Sequence, residues 1–165
     1  ERKEEMPFGQ LPVLKVGDTK IAQSGAIARY CAKIANLLPS DDLELAVVDS
    51  VMEQCNDVLG IMVKAKYTED ETKRKEAWKK FQDETLSQKM DRINTLLEKS
   101  ENDFFGGSSP NAADVAVFSI LNLVEKAGVS LPIWSRLTPV YEKVAMFGKI
   151  PEYLSEDLPA YVTME

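Results

Sequence analysis

The sequence predicts an α+β fold class in which a short β-hairpin and one helix precede a larger all-helical domain. Residues 6–35, MPFGQLPVLKVGDTKIAQSGAIARYCAKIA, indicate a loop, a hairpin and a helix. The segment Asn36–Ser40 follows, and its Pro39 prevents a helix from continuing through it. After this segment the apolar residues recur at helical spacing. We therefore expect a domain boundary here, with one domain at 1–38 and the other at 39–165.

The hairpin and its helix are indicated by local chemistry. Pro12–Val16 and Thr19–Ala22 are rich in Val, Ile and Thr, and Gly17-Asp18 between them has the glycine-first order that a type II′ turn accepts. Ser24 is the expected N-cap of the helix, because its hydroxyl can accept from an unpaired N–H of the first turn. The apolar residues at helical spacing are Ile27, Tyr30, Cys31 and Ile34.

The longest predicted helix runs from Asp42 to about Lys66. Asp41 followed by Glu44 has the spacing of a capping box, although Asp replaces the usual Ser or Thr. The apolar residues form two stripes, so we expect burial on two sides, against the core and against a partner. The first stripe is Leu43, Val47, Val51, Val58 and Met62, and the second is Leu45, Val48, Met52, Cys55 and Leu59.

Four further helices are predicted. The first is charged and extends to about Lys99, whereas the second spans 112–127, is apolar nearly all round and is therefore the expected central helix. The last two are short. The predicted start signals are Thr68 with Glu71, Asn111 with Asp114, Pro139, and Pro151.

Composition limits the function classes. The 165-residue chain has a net charge of −7, which argues against a nucleic-acid partner. No apolar run approaches a membrane span, and no signal-peptide pattern begins the chain. The two cysteines form no disulfide framework. We therefore expect a cytoplasmic location. The absence of histidine removes His bases and His ligands. Glu53 and Asp57, one helical turn apart, indicate a polar helix face more than a cation site, and we predict no metal.

Two separate motifs carry a resemblance to a known family. PFGQLPVL at 7–14 and QSGAIARY at 23–30 resemble the glutathione-binding half of a cytosolic glutathione transferase, most closely the sigma class, which includes prostaglandin D synthase and S-crystallins. The resemblance implies a thioredoxin-like first part followed by a helical bundle. It also implies glutathione as cosubstrate, a small hydrophobic electrophile as second substrate, and a homodimer.

The resemblance also implies a glutathione site. Only about one X–Pro bond in twenty is cis in folded proteins, but the family places a cis-proline here, so Leu11–Pro12 is expected to be cis and to leave the Leu11 backbone free to pair with the cysteinyl backbone of glutathione. Without the resemblance, Ser24 would be interpreted as an ordinary N-cap and Lys3 as part of a solvated end. The implied glutathione-binding residues of one subunit are Lys3, Gln10, Leu11, Pro12, Gln23 and Ser24.

A second set of residues is implied on the long helix. Asp57 falls where sigma-like transferases place an aspartate that reaches the γ-glutamyl amine of glutathione on the partner subunit; the alternative is a solvent-facing carboxylate. Leu59 and Met62 are candidates for the electrophile pocket, with ordinary core or interface packing as an equal alternative.

The activity itself leaves alternatives open. Because the chain starts at Glu1 within the motif, we expect a fragment that lacks the first β-α-β unit and, with it, the tyrosine that activates the thiol; such a fragment would be inactive alone, and no catalytic residue is nominated. The predicted enzyme conjugates the glutathione thiolate to apolar electrophiles. The alternatives are a glutathione-dependent prostaglandin-type isomerase and a non-enzymatic crystallin-like or binding-module relative.

Overall fold

The computed structural model describes residues 6–156. Its hairpin and helices follow the predicted order, and the charged helix contains a π-helical turn, Phe81–Thr85, between two α-helical parts. The elements are β1 (Val13–Val16), β2 (Thr19–Ala22), α1 (Ser24–Ile34), α2 (Asp42–Lys66), α3 (Glu71–Lys80), α4 (Leu86–Glu98), α5 (Ala112–Lys126), α6 (Leu137–Ala145) and α7 (Ile150–Ser155).

The predicted hairpin is confirmed. Strands β1 and β2 are antiparallel and in register from Val13 opposite Ala22 to Val16 opposite Thr19. Gly17 has a φ of +58°, whereas the next residue has no positive φ. A positive φ at the first position alone is what a type II′ turn requires, so glycine is needed at this position. Within residues 6–156, the two strands pair only with each other.

The core lies in the helical part, where α2 packs against α5 and α5 against α6. Helix α5 is the central helix, as predicted, and its Ala113, Val117 and Val124 are completely buried. The two predicted stripes of α2 merge into one broad buried face, because α3 and α4 cover the side that α5 leaves open. That face consists of Val48, Val51, Met52, Cys55, Val58, Met62 and Ala65.

The start of α2 differs from the expectation. Leu43 and Val47 belong to the first predicted stripe, yet their side chains are 75% and 37% exposed. They lie in the first two turns of a helix that extends beyond the core at this end. Within residues 6–156, these apolar side chains are therefore uncovered.

Beyond α1, one predicted cap is wrong and two are confirmed. Thr68 does not cap α3; its hydroxyl donates to the Lys64 carbonyl at 2.9 Å, which places it at the end of α2. Asp70 is the N-cap of α3. The Asp41 carboxylate caps α2, and Asn111 with Asp114 forms a reciprocal capping box on α5.

Helix α6 is capped by a side chain from another helix. Its own N-cap residue makes no side-chain cap hydrogen bond. Instead, the Asn94 side-chain oxygen on α4 accepts from the backbone N–H of Arg136 at 3.0 Å and of Leu137 at 3.2 Å. The Asn94 amide donates to Ser135 and Glu98. The buried Asn94 thus satisfies two donors that no local residue reaches.

We predict that Asn94→Ala lowers the free energy of unfolding by about 2–4 kcal/mol, because one buried and one part-buried N–H group lose their acceptor. Urea unfolding followed by circular dichroism measures the change. Asn102→Ala, which truncates an exposed asparagine in the loop after α4, is the control and should change stability by less than about 0.5 kcal/mol. Equal stability of the two variants would contradict the assigned role.

The capping box of α5 contains a buried acid. The Asp114 carboxylate accepts from the backbone N–H of Asn111 at 2.9 Å and of Phe105 at 3.2 Å. Burial nevertheless raises the pKa of Asp114 to about 6 and outweighs the backbone hydrogen bonds from Asn111, Phe105 and Asp114 itself, which lower it. The folded pKa is therefore above the unfolded value. The stability that protonated Asp114 contributes is fully present below about pH 4 and is lost as pH rises through about 6.

We predict that the stability difference between wild type and Asp114→Asn shrinks by about 2–3 kcal/mol as pH rises from 4 to 7. The asparagine cannot ionise, so the difference isolates the titration of this carboxyl from that of the other acids. Urea unfolding of both proteins at several pH values measures it. A difference that is independent of pH would show that Asp114 has an ordinary pKa.

Candidate functional site

The structure brings five of the predicted site residues together. A small cavity of about 80 Å³ lies where the loop before β1 meets the end of β2 and the start of α1. Two segments of the chain build it, residues 8–12 and 22–24, which are separated in the sequence by the hairpin but lie close in space. Its lining includes Phe8 and Ala22 and the predicted residues Gln10, Leu11, Pro12, Gln23 and Ser24. Lys3 lies outside the described residues.

The Leu11–Pro12 peptide bond at this cavity is cis, as expected from the motif. The Leu11 side chain is 71% exposed. Because the paired strand β1 begins at Val13, residues 10–12 lie beyond the hairpin ladder. An extended peptide can approach this backbone as an added strand.

The start of α1 corrects the predicted role of Ser24. The N-cap is Gln23, with φ 73° and ψ 119°, and no side-chain cap hydrogen bond is made at this end. Ser24 is already the first helical residue, because the positive φ of Gln23 turns the chain from the end of β2 directly into the helix. The first-turn N–H groups are thus left without a capping side chain, and the positive end of the helix favours an anionic ligand group.

A second, apolar cavity of about 430 Å³ lies between α1, α2 and α5. Leu59 lines it, as expected of a pocket residue, whereas Met62 does not and is buried in the core at 1% exposure. Met62 faces the core since it follows Val58 by one helical turn. Cys31 and Cys55 also line the cavity. Burial raises the pKa of Cys55 to about 12, so this thiol stays protonated at neutral pH.

Asp57 lines neither cavity of the described chain. Its carboxylate is exposed and forms an ion pair with Lys89 of α4 at 3.2 Å. Among residues 6–156, no group of three or more acidic or cysteine side chains is placed to hold a metal ion. None of the helices in this part of the chain is long and apolar enough to cross a membrane.

Sequence reasoning missed one polar contact between the two predicted domains. Arg29 of α1 donates to Asp49 at 2.7 Å and also to Glu53, both on α2. These hydrogen bonds, Glu53 first and then Asp49, raise the pKa of the guanidinium. The sequence did contain a signal for this contact: an arginine in one helix and two acids, four residues apart, in the next helix.

Comparison with known proteins identifies the family. Residues 56–157 match the family model for the glutathione S-transferase C-terminal domain, and residues 2–33 match the model for the N-terminal domain. Glutathione S-transferase P 1 of Xenopus laevis is 30% identical over 94% of this chain and 73% of its own length. A glutathione S-transferase of Anopheles gambiae is 27% identical over 93% of this chain and 76% of its own length.

Solved structures agree. Rat hPGDS complexed with a quinoline has a TM-score of 0.80 at 25% identity and matches 92% of this chain and 75% of its own. A glutathione S-transferase of Caenorhabditis elegans has a TM-score of 0.74 at 29% identity and matches 94% of this chain and 78% of its own. The chain belongs to the glutathione S-transferase family, an enzyme family with glutathione as cosubstrate. The predicted fold class, a thioredoxin-like part followed by a helical domain, is thereby confirmed.

We predict that Gln23→Gly raises the free energy of unfolding by about 1 kcal/mol, because glycine adopts a positive φ without strain. The same substitution should weaken glutathione binding, since it removes the Gln23 amide. Urea unfolding and calorimetric titration measure the two effects. Asn36→Gly is the control, because Asn36 also has a positive φ, 55°, but in the left-handed region that asparagine tolerates. If the stability of Gln23→Gly is unchanged or lower, the backbone of Gln23 is not strained.

Proposed function

We propose that this glutathione transferase binds glutathione in the small cavity at the start of α1 and transfers it to small hydrophobic electrophiles. The observation that carries the proposal is the convergence of Gln10, Leu11, Pro12, Gln23 and Ser24 on that one cavity. The enzyme would act by holding thiolate and electrophile together, not by forming a covalent enzyme intermediate. We expect the group that activates the thiol outside the described residues.

Each part of glutathione has a matching group in this proposal. The γ-glutamyl carboxylate accepts from Ser24 and from N–H groups of the first turn of α1, with Gln23 as a further donor. The cysteinyl backbone pairs with the Leu11 backbone beside the cis bond. Lys3 supplies a positive charge to the glycine carboxylate. Leu59, on the wall of the apolar cavity, contributes to electrophile binding.

The γ-glutamyl ammonium needs an anion, and we propose that Asp57 supplies it across a homodimer of the sigma type. The uncovered Leu43 and Val47 on α2 support a dimer, because a second copy packed along this helix would bury them. Asp57 lies on the same helix and its carboxylate is 64% exposed, so it is accessible to a partner. The two free cysteines, Cys31 and Cys55, agree with a cytoplasmic enzyme.

We predict that Asp57→Asn weakens glutathione binding about tenfold or more, because a charge-assisted hydrogen bond contributes about 1.5–3 kcal/mol. Calorimetric titration of glutathione into the dimer measures the dissociation constant. Asp83→Asn is the matched control, since Asp83 is also an exposed acid paired with a lysine, Lys79, on a helix. It should leave affinity within twofold.

If Asp57→Asn also stays within twofold while the dimer persists, Asp57 is only a surface residue. Glutathione binding by the full-length protein without transfer to any apolar electrophile would instead favour the non-enzymatic binding module.

A further inference from the structure

The ion pairs of Arg29 lie close to the proposed glutathione site. Arg29 lies in the second turn of α1, and its side chain is 32% exposed, so part of the guanidinium is shielded from water. It bonds to two carboxylates, Asp49 and Glu53, that are one turn apart on α2. A guanidinium that holds two acceptors at once is fixed in orientation more firmly than one in a single surface pair.

Gly25 brings the first turn of α1 into direct contact with the same part of α2. A Cβ atom at Gly25 would lie 3.1 Å from Nδ2 of Asn56, 3.5 Å from Oε1 of Glu53 and 3.0 Å from Nη1 of Arg29. The absence of a side chain therefore permits this close approach. Because Gly25 directly follows Ser24, the segment that would bind the γ-glutamyl carboxylate rests against α2.

Farther along, α1 has little support from α2. The apolar cavity of about 430 Å³ lies between α1, α2 and α5, and Cys31, Ala32 and Ala35 of the later part of α1 and its C-cap line it. Since side chains do not fill this space, apolar packing contributes less here than at an ordinary helix interface. The polar contact at the first two turns of α1 is consequently a main determinant of where this helix starts relative to α2.

We propose that Arg29 is a positioning residue of the glutathione site, which holds the Gln23–Ser24 end of α1 against α2 through Glu53 and Asp49. This inference rests on the proposed function, because it assumes that glutathione binds at that end. A displacement of a fraction of an ångström moves Ser24 relative to residues 10–12 across the cavity, and the ligand then loses simultaneous contact with both sides.

The test is a double-mutant cycle on glutathione affinity in the full chain. Arg29→Gln should raise the dissociation constant about five- to tenfold in the wild-type background. In the Ser24→Ala background the same substitution should change it less than twofold, because the anchor that Arg29 positions is already lost. Arg29→Lys, which keeps the charge but not the two-acceptor geometry, should give an intermediate increase of about threefold.

Charge reversal provides a second readout that a general loss of stability would not produce. Arg29→Glu should weaken binding at least as much as Arg29→Gln, and adding Glu53→Arg should restore the dissociation constant to within about threefold of wild type. Arg92→Gln on the exposed face of α4 is the matched control and should leave affinity unchanged. Circular dichroism checks that each variant is folded. If Arg29→Gln is not folded, the double-mutant cycle is run with Arg29→Lys.

The results separate the two proposals. Wild-type protein that does not bind glutathione overturns the proposed site and this inference with it. Wild-type binding with equal effects of Arg29→Gln in both backgrounds, or no rescue by Glu53→Arg, overturns the positioning role of Arg29 alone.

Discussion

The structure depends on hydrogen-bond acceptors for the backbone N–H groups at the N-terminus of a helix that is buried inside the protein. Helix α5 is enclosed by the core, so water cannot reach the N–H groups of its first turn. Protein groups take that place: the Asn111 side chain accepts from Ala113 at 2.8 Å, and the Leu37 carbonyl accepts from Ala112 at 2.9 Å. The acceptors come from the helix itself and from the linker that precedes α2. One buried helix end therefore ties together segments about seventy residues apart.

The same requirement shapes the loop before α5. The Asp114 carboxylate accepts from Phe105 as well as from Asn111, so it holds the loop and the helix start together. Gly106 is needed in this loop, because any side chain there would clash with the Asn111 amide. Among residues 6–156, that buried amide nitrogen has no hydrogen-bond partner. The capping box thus leaves the Asn111 side-chain amide without an acceptor, but it provides acceptors for several backbone N–H groups. Leaving those backbone groups unpaired would cost more free energy.

The linker contact has a consequence for the proposed glutathione site. Leu37 lies three residues after the last residue of α1, and its hydrogen bond to Ala112 fixes the end of α1 to the helical domain. Arg29 and Gly25 fix the beginning of α1 to α2. Because both ends of α1 are held, the position of the helix is defined even though an apolar cavity lies beneath its middle. The small cavity at its start is therefore located by contacts with the helical domain as well as by the hairpin.

The sequence by itself determined most of the elements and was the source of the proposed site residues. The hairpin, the long helix α2 and the buried helix α5 follow from glycine in a two-residue turn, capping residues and apolar spacing, all of which act within a few residues. The two motifs around Pro12 and Ser24, through the family resemblance that they carry, predicted five of the seven residues that line the small cavity. Local chemistry and a motif are sufficient where the determining interactions are short-range.

Only the tertiary structure decided how those residues are held. Gln23, not Ser24, occupies the N-cap because the path from β2 into α1 imposes a positive φ. Met62 is core and Leu59 is not, because burial depends on which helices cover α2. The partners of Arg29 and Asn94 are about 20 and 42 residues away in sequence. No local pattern encodes such pairs, since they form only when packing brings distant segments together.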